Sequence, residues 1–204
     1  MDDQEKINLK IEGITSENTD VPIDKYSSFE EMVKDYLNKT KGVLTKIKIN
    51  EKEVPLSYYD EIKDAFFEGG ESVELEFTSK KKVLLDLINQ SKEYIKKVRE
   101  NLEEISKEIL LNSNEGHKML NSIAEGMQAL LDVIEQTKVF TEEDYYDHDE
   151  LNQVQVVIKD IVNAQNQQDY LELSDIFEVD FENVLVNFEK ILNDAEKTLE
   201  NQGV

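Results

Sequence analysis

The densest run of reactive side chains is Glu142-Glu143-Asp144-Tyr145-Tyr146-Asp147-His148-Asp149-Glu150. It holds six carboxylates and one of the two histidines in the chain. Carboxylate oxygens are the donors that hard divalent cations prefer, and a neutral imidazole adds a nitrogen ligand. Asp144, Asp147, His148 and Asp149 are therefore the candidate metal ligands, and a cation held there would make the protein a metal-dependent enzyme or sensor. The run lacks the glycine and the terminal glutamate at the offsets of an EF-hand loop. The plainer expectation is a solvated loop whose Asp147 or Asp149 caps the next helix, where acids also complement the helix dipole.

Other catalytic patterns are missing. A di-iron carboxylate bundle needs Glu-x-x-His on two helices, but Asn114 and Tyr145 stand three residues before His117 and His148. There is no Gly-x-Ser-x-Gly elbow and no phosphate-binding glycine loop. The chain has no cysteine, which removes thiolate nucleophiles, disulfides and Cys-ligated metals. No catalytic residue and no cofactor are expected.

Apolar side chains in excess of one helical stripe point instead to recognition. Tyr170, Leu171, Leu173, Ile176, Phe177, Val179, Phe181, Val184 and Leu185 make one helix apolar almost all round, so it is either central or covered by something else. Phe177, Phe181 and Phe188 are the candidate anchors for a partner. The pairs Tyr58-Tyr59 and Phe66-Phe67 cannot all face one core, and Tyr58 and Phe67 are the next candidates.

Charge narrows the partners. The formal net charge is −23, from 46 acidic and 23 basic residues. Such a chain repels phosphate backbones and anionic membrane surfaces and favours basic partners. Residues 80–111 are the only net-cationic stretch, with 8 basic and 6 acidic residues. Lys92, Lys96, Lys97 and Arg99 lie there. They are expected to pair with acidic neighbouring helices, an anionic docking partner being the alternative. No apolar run approaches 18 residues and the first ten residues lack a signal-peptide pattern, so a bacterial or archaeal cytoplasm is the expected location.

The periodicity changes near residue 79 and predicts two domains, 1–79 and 80–204. In the first, Ile7-Leu9-Ile11, Val43-Thr45-Ile47-Ile49 and Val73-Leu75-Phe77 alternate as strands. Residues 14–26 read as a loop. Ser27 or Ser28 opens a helix by a capping box with Glu30 or Glu31, and Asn50–Glu53 reads as a tight turn. Ser57 caps a second helix through Phe66, stopped by Gly69-Gly70. The order β-α-β-(β)-α-β predicts a small α+β head, of which a ubiquitin-like roll is one form. From Lys80 only helical periods appear. Leu84, Ile88, Ser91, Ile95, Val98, Leu102, Ile105 and Ile109 step as a heptad seam. Three further amphipathic stretches, near 120–134, 151–161 and 173–195, complete an antiparallel four-helix bundle.

Residues 160–192 resemble a segment recurring in uncharacterised helical proteins of Gram-positive bacteria. The match is carried by Asp169-Tyr170-Leu171-Glu172-Leu173-Ser174-Asp175. That family has no assigned activity, so the resemblance implies no functional residue. The bundle is also loosely similar to flagellar export chaperones, a likeness of class rather than motif. The expected function is a non-enzymatic adaptor, chaperone or assembly factor that binds an amphipathic helix or a basic protein. The alternatives are the metal-dependent role of residues 142–150 and self-association into a homodimer along the seam of residues 84–109.

Overall fold

Ile7, Leu9 and Ile11 alternate with polar residues, and strand β1 (Lys6–Gly13) buries those three on one face. In the computed structural model of the protein, which describes residues 6–202, β1 is an interior strand. It pairs antiparallel with β2 (Glu17–Pro22) and parallel with β5 (Ser72–Thr78). β5 continues antiparallel to β3 (Val43–Ile49), which pairs with β4 (Lys52–Val54), giving the order β2-β1-β5-β3-β4. Helix α1 (Phe29–Thr40) contributes Phe29, Met32, Val33 and Tyr36 to the core over Ile47, Val73, Leu75 and Phe77. This is a ubiquitin-like roll within an α+β protein. Each fully buried aliphatic or aromatic side chain stabilises it by about 1.5–3 kcal/mol.

Caps and turns follow local chemistry. Ser28 accepts the Glu31 amide at 3.2 Å, and the Glu31 carboxylate accepts the Ser27 amide at 2.6 Å, closing the capping box one residue wide. Asn50 and Glu51, both at positive φ, form a two-residue hairpin turn between β3 and β4.

Two expectations for the head are corrected. Residues 17–22 are a strand, not loop. Only Val21 of β2 is buried, so the sequence carries no alternation there, and the pairing is set by backbone bonds to β1. The second helix is one turn, α2 (Tyr59–Ile62). Past it, the carbonyls of Lys63 and Ala65 accept the amides of Glu30 and Phe29 at the start of α1. Those bonds hold the chain out of helical geometry.

The outer sheet face is polar. Glu74 receives Lys48 at 2.7 Å and Lys10 at 3.4 Å. The Lys48 hydrogen bond, aided by Lys10, holds the Glu74 carboxyl below its ordinary range. A depressed acid contributes stability above its unfolded value, about pH 4.3, and that contribution is lost as pH falls through the folded value. Melting followed by circular dichroism should therefore show an acid-side loss that is shallower in Glu74→Gln than in the wild type. Identical acid limbs would refute the pairing.

The helical unit, Leu84–Val204, begins inside the first of four rods. The first is α3 (Lys80–Glu100) followed by α4 (Leu102–Leu110). The heptad seam crosses this break. The Asn101 side chain takes the Lys97 carbonyl at 2.6 Å and its amide takes Val98 at 3.0 Å, in place of the α-helical pattern. Leu84, Ile88, Ile95, Val98, Ile105 and Ile109 are all buried within the chain's own core.

The second rod is α5 (Asn114–Thr141) and the third is α6 (His148–Gln167). The last is α7 (Tyr170–Asp175), a π-helical segment at Ile176–Asp180, and α8 (Phe181–Asn201). The cationic helix meets acidic α8. Lys92 pairs with Glu196 at 2.6 Å, and Arg99 with Glu182 and Glu189 at 2.9 Å each. Half-buried pairs of this kind, still reached by solvent, contribute on the order of 1 kcal/mol each, so apolar burial dominates the unit. Its polar core contacts are satisfied; Ser106 and Ser174 share a hydrogen bond at 2.8 Å.

The π segment has a geometric cause. Leu173, Phe177 and Phe181 are separated by two steps of four, which would rotate the stripe about 80° around a regular α-helix. Widening the turn over Ile176–Asp180 absorbs that drift, so all three stay inward with Val184 and Phe188.

Candidate functional site

The acidic run does not converge. Asp144 is taken by the Lys138 ammonium and the His148 ring, both at 2.8 Å, and those partners hold its carboxyl below the ordinary range. Asp147 caps α6 and accepts the Asp149 amide at 2.9 Å. Tyr145 turns inward and donates to the Ile134 carbonyl at 2.8 Å, burial pushing its hydroxyl pKa up. Among the described residues no three His, Asp or Glu side chains come together as metal donors. The structure thus places Asp144 and His148 in an ion-paired group with Lys138 and makes Asp147 the cap that accepts the Asp149 amide.

The aromatic candidates divide. Phe177, Phe181 and Phe188 are each 0% exposed, with the first two rings 4.6 Å apart. They are the centre of the bundle, not surface anchors. Tyr58 is 49% exposed. Phe67 is half-buried against the head core, and its neighbour Phe66, 79% exposed, is the residue that projects. The backbone fixes this choice by pinning the Ala65 carbonyl to Phe29.

The feature best shaped to receive another molecule lies on α6 and α8. Helix α6 is peripheral: only Val154 and Ala164 of its residues are buried. Its main neighbours are α7, the π segment and α8. Lys190 meets Glu150 at 3.5 Å and Asn187 meets Gln153 at 3.1 Å, so α6 and α8 run antiparallel in a defined register. Between them is a groove of about 650 Å³. Its walls carry the carboxamides of Asn152, Gln153, Asn183 and Asn187, the carboxylates of Asp149 and Asp180, and Val156, Val157, Val184 and Val186, with Lys190 at one end. Val156 is 58% exposed there, whereas Asn187 is 7% exposed and anchors the floor. The groove spans about 12–15 Å at 1.5 Å per helical residue.

A carboxamide presents a donor and an acceptor together, the same pair that a peptide group presents. Asn152 and Asn183, exposed beside the bonded Gln153–Asn187 pair and over a valine surface, can bind main chain without demanding a particular side chain. The two carboxylates, set in a stretch carrying 5 basic and 21 acidic residues from 112 onward, add a preference for cations. Asp180, the last residue of the π segment, lies in the groove wall, and π turns are frequent at functional sites.

Of the groove residues only Asp149 and Val184 stand out in the sequence, the first for metal chemistry and the second as part of an apolar helix. The amides' signal was an adjacent pair, 152/153, and a second pair one helical turn apart, 183/187, on helices whose opposite faces are apolar.

Among the described residues no helix is long and apolar enough to cross a membrane. No curated protein and no solved structure matches the chain. The family described as "Domain of unknown function (DUF8042)" matches residues 86–191, a span that contains every residue of the groove and none of the head. More than half of the chain falls within that match, and the protein belongs to this family of uncharacterised domains.

Proposed function

We propose that the protein is a non-enzymatic protein-binding module whose bundle receives a segment of a partner in the α6–α8 groove. The observation that carries this reading is the ladder of carboxamides over exposed valine, which suits peptide groups better than any reacting centre. The partner segment is basic, because the rim carboxylates and the charge of the whole bundle would repel an acidic one. A cytoplasmic adaptor, chaperone or assembly factor of a Gram-positive bacterium is the form this role takes. The loose likeness to flagellar export chaperones supports the class and nothing finer.

A phage-displayed library of random dodecapeptides, selected on the full chain, tests the proposal. Enriched clones should be rich in Lys and Arg. Their capture should fall about tenfold or more, at least about 1.4 kcal/mol, on Asn183→Arg, which places a bulky cation in the groove. The melting temperature should not move, because Asn183 is exposed. Absence of enrichment, or equal capture by the variant, would overturn it.

A further inference from the structure

A second surface, on the head, has its own chemistry. Phe66 is the most exposed large apolar side chain in the described chain, and Leu56 and Tyr58 of the same segment are 43% and 49% exposed. Its exposure does not come from a loose loop. Ala65 and Lys63 are bonded by their carbonyls to α1, and Phe67 and Ile62 are packed against the core. On the far side the Glu71 carboxylate accepts the amides of Glu68 and Gly69 at 2.7 and 2.8 Å. The backbone on both sides of Phe66 is therefore held, and the ring is presented to solvent as a preorganised knob.

The surroundings state the partner's charge. Asp60, Glu61, Asp64 and Glu68 are exposed around it in sequence. The one cation of residues 56–71, Lys63, is tied to Asp60 at 2.8 Å. A knob with few rotatable bonds costs little entropy when it enters a pocket, and aromatic anchors of this kind carry much of the energy of protein interfaces. Like charge disfavours a second copy of this chain as occupant.

We infer that Phe66 is an anchor that inserts into an apolar pocket on another protein, one rimmed by Lys and Arg that face Asp60, Glu61, Asp64 and Glu68. This surface is separate in sequence from the groove, and its test does not depend on the groove's.

The test places p-benzoylphenylalanine at position 66 of the full chain, expressed in cells of the source organism and irradiated. The expected product is an adduct with a basic protein of different sequence. Its yield should fall about tenfold when the four acids are neutralised together (Asp60→Asn, Glu61→Gln, Asp64→Asn, Glu68→Gln), with an unchanged melting temperature. The same cross-linker at Val139, 68% exposed on α5, is the control for indiscriminate capture. A yield no higher than at Val139, an adduct indifferent to neutralisation, or an adduct of twice the chain mass would each overturn the inference.

Discussion

Phe181→Ala should destabilise the bundle by about 3–5 kcal/mol, the cost of emptying a buried aromatic site whose walls relax only partly. The residue is fully buried where α8 begins, its ring against Phe177 at 4.6 Å, and it also holds the helical phase across the π segment. Chemical denaturation followed at the helical circular dichroism band should show the midpoint falling with an unchanged slope. Phe66→Ala, by contrast, should stay within about 0.5 kcal/mol, as exposed substitutions do. The double variant Phe177→Ala/Phe181→Ala should differ from the sum of the single changes, because the two rings share one site. If Phe181→Ala cost no more than Phe66→Ala, the core described above would be wrong.

Gly13→Ala should be the most damaging small substitution in the head, at about 3 kcal/mol or more. Two terms combine. Gly13 has φ +97°, a region that side chains rarely adopt, and forcing a residue there costs of order 1–3 kcal/mol. A Cβ would also overlap the Phe77 carbonyl, where β1 and β5 run in parallel, and overpacking adds about 1–3 kcal/mol. That same carbonyl accepts the Ile14 amide at 2.9 Å, so it cannot retreat without losing a bond. Gly70 separates the two terms. Its φ is +85° but a Cβ there meets nothing, so Gly70→Ala should show the strain alone. Amide hydrogen exchange at Leu9 and Leu75, in the paired strands, reports the difference. Equal acceleration in both variants would mean that the steric clash is absent.

Much of the fold was legible because it repeats. The alternation of Ile7-Leu9-Ile11 and Val73-Leu75-Phe77 needed one apolar face, and the sheet supplies it. The seam from Leu84 to Ile109 announced a long buried stripe. Ser28 and Glu31 announced the start of α1 by spacing alone. What failed was whatever depended on a partner distant in the chain. β2 has one buried side chain and is a strand because β1 offers it backbone bonds. Residues 63–65 leave the helix because α1 needs their carbonyls. Phe66 rather than Phe67 is exposed for the same reason.

The candidate site divides along the same line. Local composition made residues 142–150 conspicuous, but Asp144 is paired with Lys138, from the preceding helix, and Asp147 is engaged as a cap. The groove was inconspicuous because its amides belong to two helices some thirty residues apart. Period and charge are properties of the chain, so the periodic elements, their buried stripes and the acidity were determined by sequence alone, while β2 and the short α2 were not. Which surfaces remain open depends on what lies across from each residue. Only the tertiary arrangement decided that Phe181 is core, that Phe66 is surface, and that Asn152, Gln153, Asn183 and Asn187 share one groove.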